Sequence, residues 1–385
     1  MTSSDLRYFS SAEGRTLLRE MEESPGDDLS RLTRFRKSYP PERCRSALTL
    51  LTLRQRAHSK FSRAAQMAFD REGLEQATGE TISQYRSIRY QNYTTVADLC
   101  CGIGGDSIAL AEHADVLSLD SNPDRIACMR WNVRVNDVSS QVKGICTDVS
   151  SWIPKADALF FDPSRRRNNR RIRNLRDYSP PVQLDRLRLT TPHIGIKVAP
   201  GILYSELPKD CETEFISENG FCKEAVLWFG DLQTCSTRRA TLLPSAETLV
   251  HRPTEEADVH TPGSYLYEPD RAVIRAHLID QLALDINAWK LNPQVAYLSS
   301  NSQIDTPFAK CFRIEDVIPY SVKRLQSYVN ARNIGRLEIK KRRFPLEPEA
   351  LRKRLKLKGD QQAIFVLTRI GSALTTIVCK EVRTV

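Results

Sequence analysis

Nowhere in this sequence do apolar residues run together for anything near the ~20 positions that a membrane-spanning helix needs, so a chain threaded through a bilayer by helices is excluded. The ten cysteines include no CxxC pair and no Cys/His cluster at zinc spacing, and no apolar secretory leader precedes them. Reduced thiols in the cytoplasm are therefore expected, without a disulfide framework. The six histidines form neither HxxxH nor HExxH, so no metal site is expected. Internal repeats and low-complexity tracts are also missing.

What is present is ordinary globular composition: 41% hydrophobic and 27% charged residues over 385 positions, enough for two or three domains with cores of their own. Basic residues outnumber acidic ones by 57 to 47, a net charge of +10 that suits a polyanionic partner. Residues 1–93 read as a helical region, with apolar positions such as Leu48, Leu51, Ala64 and Ala68 and no strand-like alternation. Its tract Arg31 to Arg63 carries ten Lys/Arg residues against Glu42 alone.

From Thr94 the pattern becomes βαβ. Strands are predicted at Val96–Cys100, Asp115–Leu119, Gln141–Cys146, Ala158–Asp162 and Ile194–Val198, with helices near Asp106–Glu112, Asp124–Asn136 and Val182–Leu189. Thr213–Ser217, Ala225–Phe229 and Ala240–Leu243 would finish a doubly wound sheet antiparallel. The fold class expected for 94–250 is thus α/β. Pro244 to Pro262 reads as a linker, and 263–385 as an α+β domain. That domain would have helices at Ala272–Leu284, Val317–Asn330 and Pro348–Leu355, and strands at Val295–Ser299, Arg336–Lys340, Ala363–Thr368 and Leu374–Cys379.

The strongest local signal is Ala97-Asp98-Leu99-Cys100-Cys101-Gly102-Ile103-Gly104-Gly105-Asp106, a strand entering a helix through a glycine turn. Gly102 and Gly104 let the backbone turn tightly and approach a ligand, whose polar end would lie at the helix start. Asp120 follows the second strand, where a carboxylate can take both hydroxyls of a ribose. A dinucleotide would satisfy that much. Asp98, however, would repel a pyrophosphate at close range and suits a cationic aminoacyl group, while Asp148 after the third strand can accept from an adenine amine. These acids favour S-adenosylmethionine, with helix or turn capping as the competing role for Asp98 and Asp148.

Asp98 to Asp106, Asp120-Ser121-Asn122-Pro123, Thr147-Asp148 and Asp162-Pro163 resemble, in order, the motifs of class I S-adenosylmethionine-dependent methyltransferases. The Cys-Gly-Ile-Gly-Gly-Asp segment is particularly similar to the trimethylguanosine synthase branch, which methylates a guanine N2 amine. Upstream, Lys60-Phe61-Ser62-Arg63 and Asp70 to Thr78 look like the helical extension of that branch, and residues after 262 look like a THUMP-like domain. The resemblance implies a Rossmann-like fold and a cofactor set of Thr78, Asp98, Cys100, Gly102, Gly104, Asp106, Asp120, Ser121, Asn122 and Asp148, with Thr78 near Gln76 closing over the cofactor.

Methyl transfer from a sulfonium is mainly positioning. In the family, an (Asp/Asn)-Pro-Pro-aromatic motif binds the N–H groups of an exocyclic amine and stacks on its base. Here the matching residues are Asp162, Pro163, Ser164 and Arg165: the acceptors are kept, and Arg165 stands where the ring would be. A guanidinium plane can stack on a base or fork onto a phosphate. Arg165 to Arg176 holds seven arginines in twelve residues without an acid, and Arg332 to Lys358 holds eleven Lys/Arg against three acids. With Lys60, Arg166, Arg167, Arg170, Arg171, Lys341, Arg342 and Arg343 as substrate contacts, the expected partner is a structured RNA. The competing reading of each tract is a solvated surface or loop. Cys100 and Cys101 have no basic neighbour in sequence and are expected to wall the site rather than attack substrate. The expected activity is RNA methylation at a base nitrogen, an exocyclic amine such as guanine N2. A catalytically silent RNA-binding protein and a DNA adenine-N6 methyltransferase are the alternatives.

Overall fold

The computed structural model describes residues 1–164, 166–167, 170–171, 174–234 and 236–382, with 166–167 and 170–171 described in backbone alone. The chain forms two compact units, one of Met1–Glu214 with Glu224–Cys235 and one of Phe215–Lys223 with Ser236–Val385.

The first unit opens with six helices: α1 (Ser3–Phe9), α2 (Ala12–Glu23), α3 (Asp28–Phe35), α4 (Pro41–Ala57), α5 (Arg71–Gln76) and α6 (Glu80–Ser87). Their starts follow from short polar residues that occupy orphan backbone N–H groups. Thr2 and Asp5 form a capping box on α1, while Ser11 and Asp27 cap α2 and α3. Apolar faces of α1 to α4 close a core around Phe9, Leu17, Met21, Phe35, Leu48 and Leu51. Leu53, Ala57, Phe61, Met67 and Phe69 continue into a cluster with Ile103 and Cys128, beside the glycine turn. Each side chain of that size contributes roughly 1.5–3 kcal/mol when buried. The helical region is therefore built onto the sheet's own core, and residues 1–93 are part of the first unit rather than a body apart.

The sheet strands of this unit are β1 (Thr95–Leu99), β2 (Asp115–Asp120), β3 (Val142–Cys146), β4 (Ala158–Phe161) and β7 (Ile194–Val198), with helices α7 (Gly105–Leu110), α8 (Pro123–Val135) and α9 (Leu184–Arg188) between them. A hairpin of β5 (Arg166–Arg167) and β6 (Arg170–Arg171) lies between β4 and α9. Strand order runs β9-β7-β4-β1-β2-β3, parallel from β7 to β3. The antiparallel partner of β7 is the root of β9 (Phe221–Phe229), whose hairpin mate is β8 (Glu212–Glu218). The order reverses between β1 and β4, the switch point at whose carboxyl ends ligands bind in doubly wound sheets. The expected strands and helices of this sheet all form, with ends shifted by a residue or two, except that β9 starts at Phe221, well before the expected Ala225.

The second unit holds the tip of the β8–β9 hairpin, then β10 (Arg238–Leu243) and β11 (Glu247–Val250), antiparallel to each other. The expected linker thus begins as the β10–β11 turn followed by β11. Its remainder is tied by Arg252 N to Gln281 Oε1 (3.0 Å) and Ala257 N to Asp280 Oδ1 (2.9 Å).

A seven-stranded sheet follows, formed by β12 (Tyr265–Pro269), β13 (Trp289–Lys290), β14 (Leu298–Ser300), β15 (Ala309–Pro319), β16 (Ile334–Lys341), β17 (Gln361–Ile370) and β18 (Ala373–Glu381). It is ordered β13-β14-β12-β15-β18-β17-β16, and only β16 and β17 pair in parallel. Helices α10 (Arg271–Arg275), α11 (Ile279–Asp285), α12 (Val322–Ala331) and α13 (Pro348–Arg352) complete it. Leu325, Val329 and Leu351 pack on Leu337, Phe365 and Val378. The helix expected from Val317 starts only at Val322, because Val317 belongs to β15; His277, at φ 54, divides the helix expected over Ala272–Leu284.

Candidate functional site

The glycine turn is a tight left-handed excursion. Cys100, Gly102 and Gly104 have φ of 66, 56 and 88, values that glycine adopts freely and that cost a residue such as Cys100 about 1–2 kcal/mol. The two glycines serve different ends. A Cβ on Gly104 would lie 2.7 Å from Met129 Cγ, so that glycine lets α7 pack against α8, whereas Gly102 has nothing within 4 Å on that side. Space for a ligand therefore opens at Gly102. Buried Asn132 fixes the turn from behind, donating to Ile103 O (2.9 Å) and Ala68 O (3.0 Å).

Asp120 ends β2 with its carboxylate buried and pre-oriented: Oδ2 accepts from Gly102 N (3.0 Å) and Oδ1 from Asn122 N (2.8 Å). A carboxylate offers about four lone-pair positions, which leaves capacity for a vicinal diol. Asn122 caps α8 through Asp124 N (2.9 Å), and Ser121 is exposed beside it. Asp148 is exposed and closes a local turn by accepting from Ser150 N (2.8 Å).

Asp98 is the least solvated acid of the group, 1% exposed. Its Oδ2 accepts from Ser107, which in turn accepts from Ser118 (2.8 Å), while its Oδ1 is buried with no hydrogen-bond partner. Burial first, then the neighbouring Asp106, pushes its pKa up to about 8; the Ser107 hydroxyl works the other way. Such an orphaned buried acceptor among acids is matched by a cationic ligand group.

On the same side of the sheet lies a buried polar cluster centred on Thr78. Its hydroxyl accepts from Lys197 Nζ (2.7 Å) and Arg86 (3.2 Å) and lies 3.2 Å from Asp106 Oδ2. Arg86, 2% exposed, also pairs with Asp106 and with Glu224 Oε1 (3.0 Å), and its guanidinium rests 4.5 Å from the centre of the Phe160 ring. Lys197 Nζ donates to Asp162 Oδ2 (2.6 Å) and lies 3.9 Å from Glu224 Oε2. Among the described residues, four carboxylates (Asp98, Asp106, Asp162, Glu224) thus face two cations. Burial lifts the pKa of Glu224, opposed by Arg86 and Lys197.

Asp162 is at the carboxyl end of β4 with its side chain 20% exposed, hydrogen-bonded in its backbone N–H to Leu99 O (3.1 Å). Pro163 is buried, and Ser164 exchanges backbone bonds with Ser179 (2.8 and 3.0 Å), which fixes the chain leaving Asp162. Arg165 lies outside the described residues, as do the side chains of Arg166, Arg167, Arg170 and Arg171. Burial beside Asp98 and Asp120 drives the Cys100 and Cys101 thiols well above their usual range, unlike an activated nucleophile.

Other expected contacts are engaged structurally. Lys60 Nζ donates to Leu74 O (2.7 Å), Ala77 O (3.0 Å) and Glu75 O (3.3 Å), so it ties down the end of α5 instead of presenting a bare ammonium. In the second unit Lys341 pairs with Glu347, Arg342 with Glu268 (3.5 Å) and the Tyr297 ring, and Arg343 with Gln294. Lys197, Arg86 and Glu224 are the residues that sequence reasoning missed. The signal was there in Lys197, a lone cation inside the apolar run Ile194–Val198, where an unpaired charge does not belong.

Residues 93–183 match the family model described as RNA cap guanine-N2 methyltransferase, 309–381 match a THUMP domain-like model, and 2–57 match a domain of unknown function. An uncharacterized S-adenosylmethionine-dependent methyltransferase of Mycobacterium tuberculosis is 32% identical over 349 residues, spanning 86% of this chain and 95% of the relative. The chain belongs to this family of S-adenosylmethionine-dependent methyltransferases. A crystal structure of a proposed methyltransferase from Porphyromonas gingivalis W83 shares the fold, with a TM-score of 0.81 at 21% identity over 96% of this chain and 98% of that one. The residues of this methyltransferase fit its cofactor: orphaned Asp98 Oδ1 suits the cationic aminoacyl end, the open side of Gly102 suits close approach, and Asp120 suits the ribose. Among the described residues no group of three or more His, Cys, Asp or Glu is arranged to hold a metal ion, and no helix is long and apolar enough to cross a membrane.

Proposed function

We propose that this methyltransferase acts on RNA and methylates a base nitrogen, an exocyclic amine of the guanine N2 type. Asp98, Gly102 and Asp120 hold the cofactor, with Gly104 keeping the turn packed behind it and Thr78, Cys100, Asp106, Ser121, Asn122 and Asp148 around it. The bound cofactor supplies an electrophilic methyl group whose C–S bond breaks, sulfur keeping the pair, as the N–C bond forms. An exocyclic amine is a weak nucleophile because its lone pair is delocalised into the ring. Asp162 and the Pro163 carbonyl accept its N–H groups, localise that pair and fix its approach, and Asp162 takes up the proton the nitrogen sheds.

The observation that carries this reading is a partly exposed Asp162 at the switch point, backed by Lys197 and facing the glycine turn across the β1–β4 pair. The arginine-dense segment that follows, and the RNA-related family models over 93–183 and 309–381, support RNA as substrate. Arg165 to Arg171 would hold phosphates or stack on the target base. Incubating RNA from a strain lacking the gene with purified protein and methyl-labelled cofactor tests it. Label in RNA, lowered roughly 100-fold or more by Asp162→Ala, is expected; label confined to DNA, or none in any nucleic acid, would overturn it.

A further inference from the structure

Lys197 is a costly residue to keep. Its side chain is 3% exposed in a strand otherwise composed of Ile, Gly and Val, and a buried ammonium persists only when acceptors replace its hydration. Its neighbours do so: Asp162 Oδ2 at 2.6 Å, Thr78 Oγ1 at 2.7 Å and, more distant, Glu224 Oε2 at 3.9 Å. A simpler core would have a leucine here and no glutamate at 224. The arrangement makes sense if its product is a carboxylate held at one angle.

We propose that Lys197 is the positioning residue of the methyl-acceptor site, clamping Asp162 through Oδ2 so that Oδ1 is aimed at the acceptor amine, with Thr78 as the fixed post against which the clamp is set. This rests on the reading of Asp162 as the acceptor-binding carboxylate. The geometry adds a second consequence. Thr78 also meets Arg86 and Asp106, which stands at the start of α7 behind the glycine turn, so one hydroxyl joins the cofactor side of the site to its acceptor side.

The clamp also governs charge. Asp162 is surrounded by Asp98 on β1, Asp106 on α7 and Glu224 on β9, with Cys100 nearby; Arg86 on α6 and Lys197 on β7 are the opposing cations. Lys197→Met removes one of the two, leaving Arg86 to offset four acids, so protons are held to higher pH. That shift follows from charge alone; positioning shows itself in the loss of the effect once Asp162 is replaced.

The test is a double-mutant cycle in the full-length chain: parent, Lys197→Met, Asp162→Ala and the double variant, assayed for label transfer to RNA from a strain lacking the gene. S-adenosylhomocysteine affinity by calorimetry serves as the readout of an intact fold and cofactor site. Lys197→Met is expected to lose roughly 100-fold in rate at saturating RNA, the cost of a misplaced reacting group, with its acidic limb moved to higher pH and the affinity held within about threefold. The double variant is expected to be no more than about threefold slower than Asp162→Ala, since a residue acting through another adds nothing once that partner is gone. A rate unchanged in Lys197→Met, or losses that multiply in the double variant, overturns the proposal. If Lys197→Met does not fold, the comparison of Asp162→Ala with the charge-balanced double variant decides alone by the same criterion. Full activity in Asp162→Ala would overturn the acceptor reading as well, whereas loss there with none in Lys197→Met overturns only the clamp.

Discussion

Asp98 shows how much a single carboxylate can report. With its pKa raised to about 8 by burial and by Asp106, it retains a proton that the unfolded chain has already released. Its contribution to stability is full below the usual carboxylate range and is lost as pH climbs through about 8. A cationic group arriving at Oδ1 reverses that balance by favouring the ionised form. S-adenosylhomocysteine should therefore bind more tightly as pH rises from 6 toward 8, by up to about tenfold per unit, with a proton released on binding. Calorimetry in buffers of different ionisation enthalpy checks this, and a pH-independent affinity with no proton release would remove Asp98 from the site. Asp98→Asn should abolish the dependence and weaken binding.

Gly102 makes a complementary prediction at the same scale. Its φ of 56 is forbidding for a β-branched residue, but no neighbour lies within 4 Å of an added Cβ. Gly102→Val should cost of order 1–3 kcal/mol in backbone strain and obstruct the ligand, lowering cofactor affinity by tenfold or more while the thermal transition stays cooperative. Gly104→Val meets Met129 Cγ at 2.7 Å and should lower stability as well. The two glycines were equivalent in the sequence; only packing separates them.

At the scale of elements, the turn, the strand ends and the helices after them were legible because each has a local cause: the glycines, Asn122 as a cap, and Pro123 at the first helical turn. Partners distant in sequence were not legible. Lys60 belongs to a basic tract and reads as a phosphate contact, yet its ammonium closes the carbonyl end of α5. Lys60→Met should accordingly lower stability by about 1–3 kcal/mol through unpaired carbonyls, measured as a shift in the urea midpoint. Unchanged stability with weakened RNA binding would return it to the substrate side. Arg54 tells the same story: burial lowers its pKa to about 10, and it donates to Met67 O (2.9 Å) and Gln66 O (3.0 Å) inside the helical core. The cluster of Thr78, Arg86, Lys197 and Glu224 draws on three elements, α6, β7 and β9, and the loop before α6, which is why only Thr78 was anticipated.

The scale of the whole molecule concerns charge. Net charge of +10 is spread over three basic tracts, and in the outer two some cations are paired with acids: Arg43 with Asp5, Arg63 with Asp137, Lys340 with Glu268 and Glu338, and Lys341 with Glu347. The acid-free segment Arg165 to Arg176 is then the main candidate for binding phosphate. Replacing Arg166, Arg167, Arg170 and Arg171 by Ala should flatten the dependence of RNA affinity on salt, by about 0.7–0.9 in log–log slope for each phosphate that is no longer neutralised. Replacing Lys341 and Arg343 should change that slope little. The opposite ranking would move the RNA-binding surface to the second unit.

The central claim is that Asp162 presents an amine nitrogen of a nucleobase to the methyl group. Nucleoside mass analysis of RNA methylated with a deuterium-labelled cofactor tests it most directly, because fragmentation separates label on the base from label on the sugar. The account predicts label on the base, at an exocyclic nitrogen, and its near disappearance with Asp162→Ala. Label on a ribose oxygen or a ring carbon would contradict it.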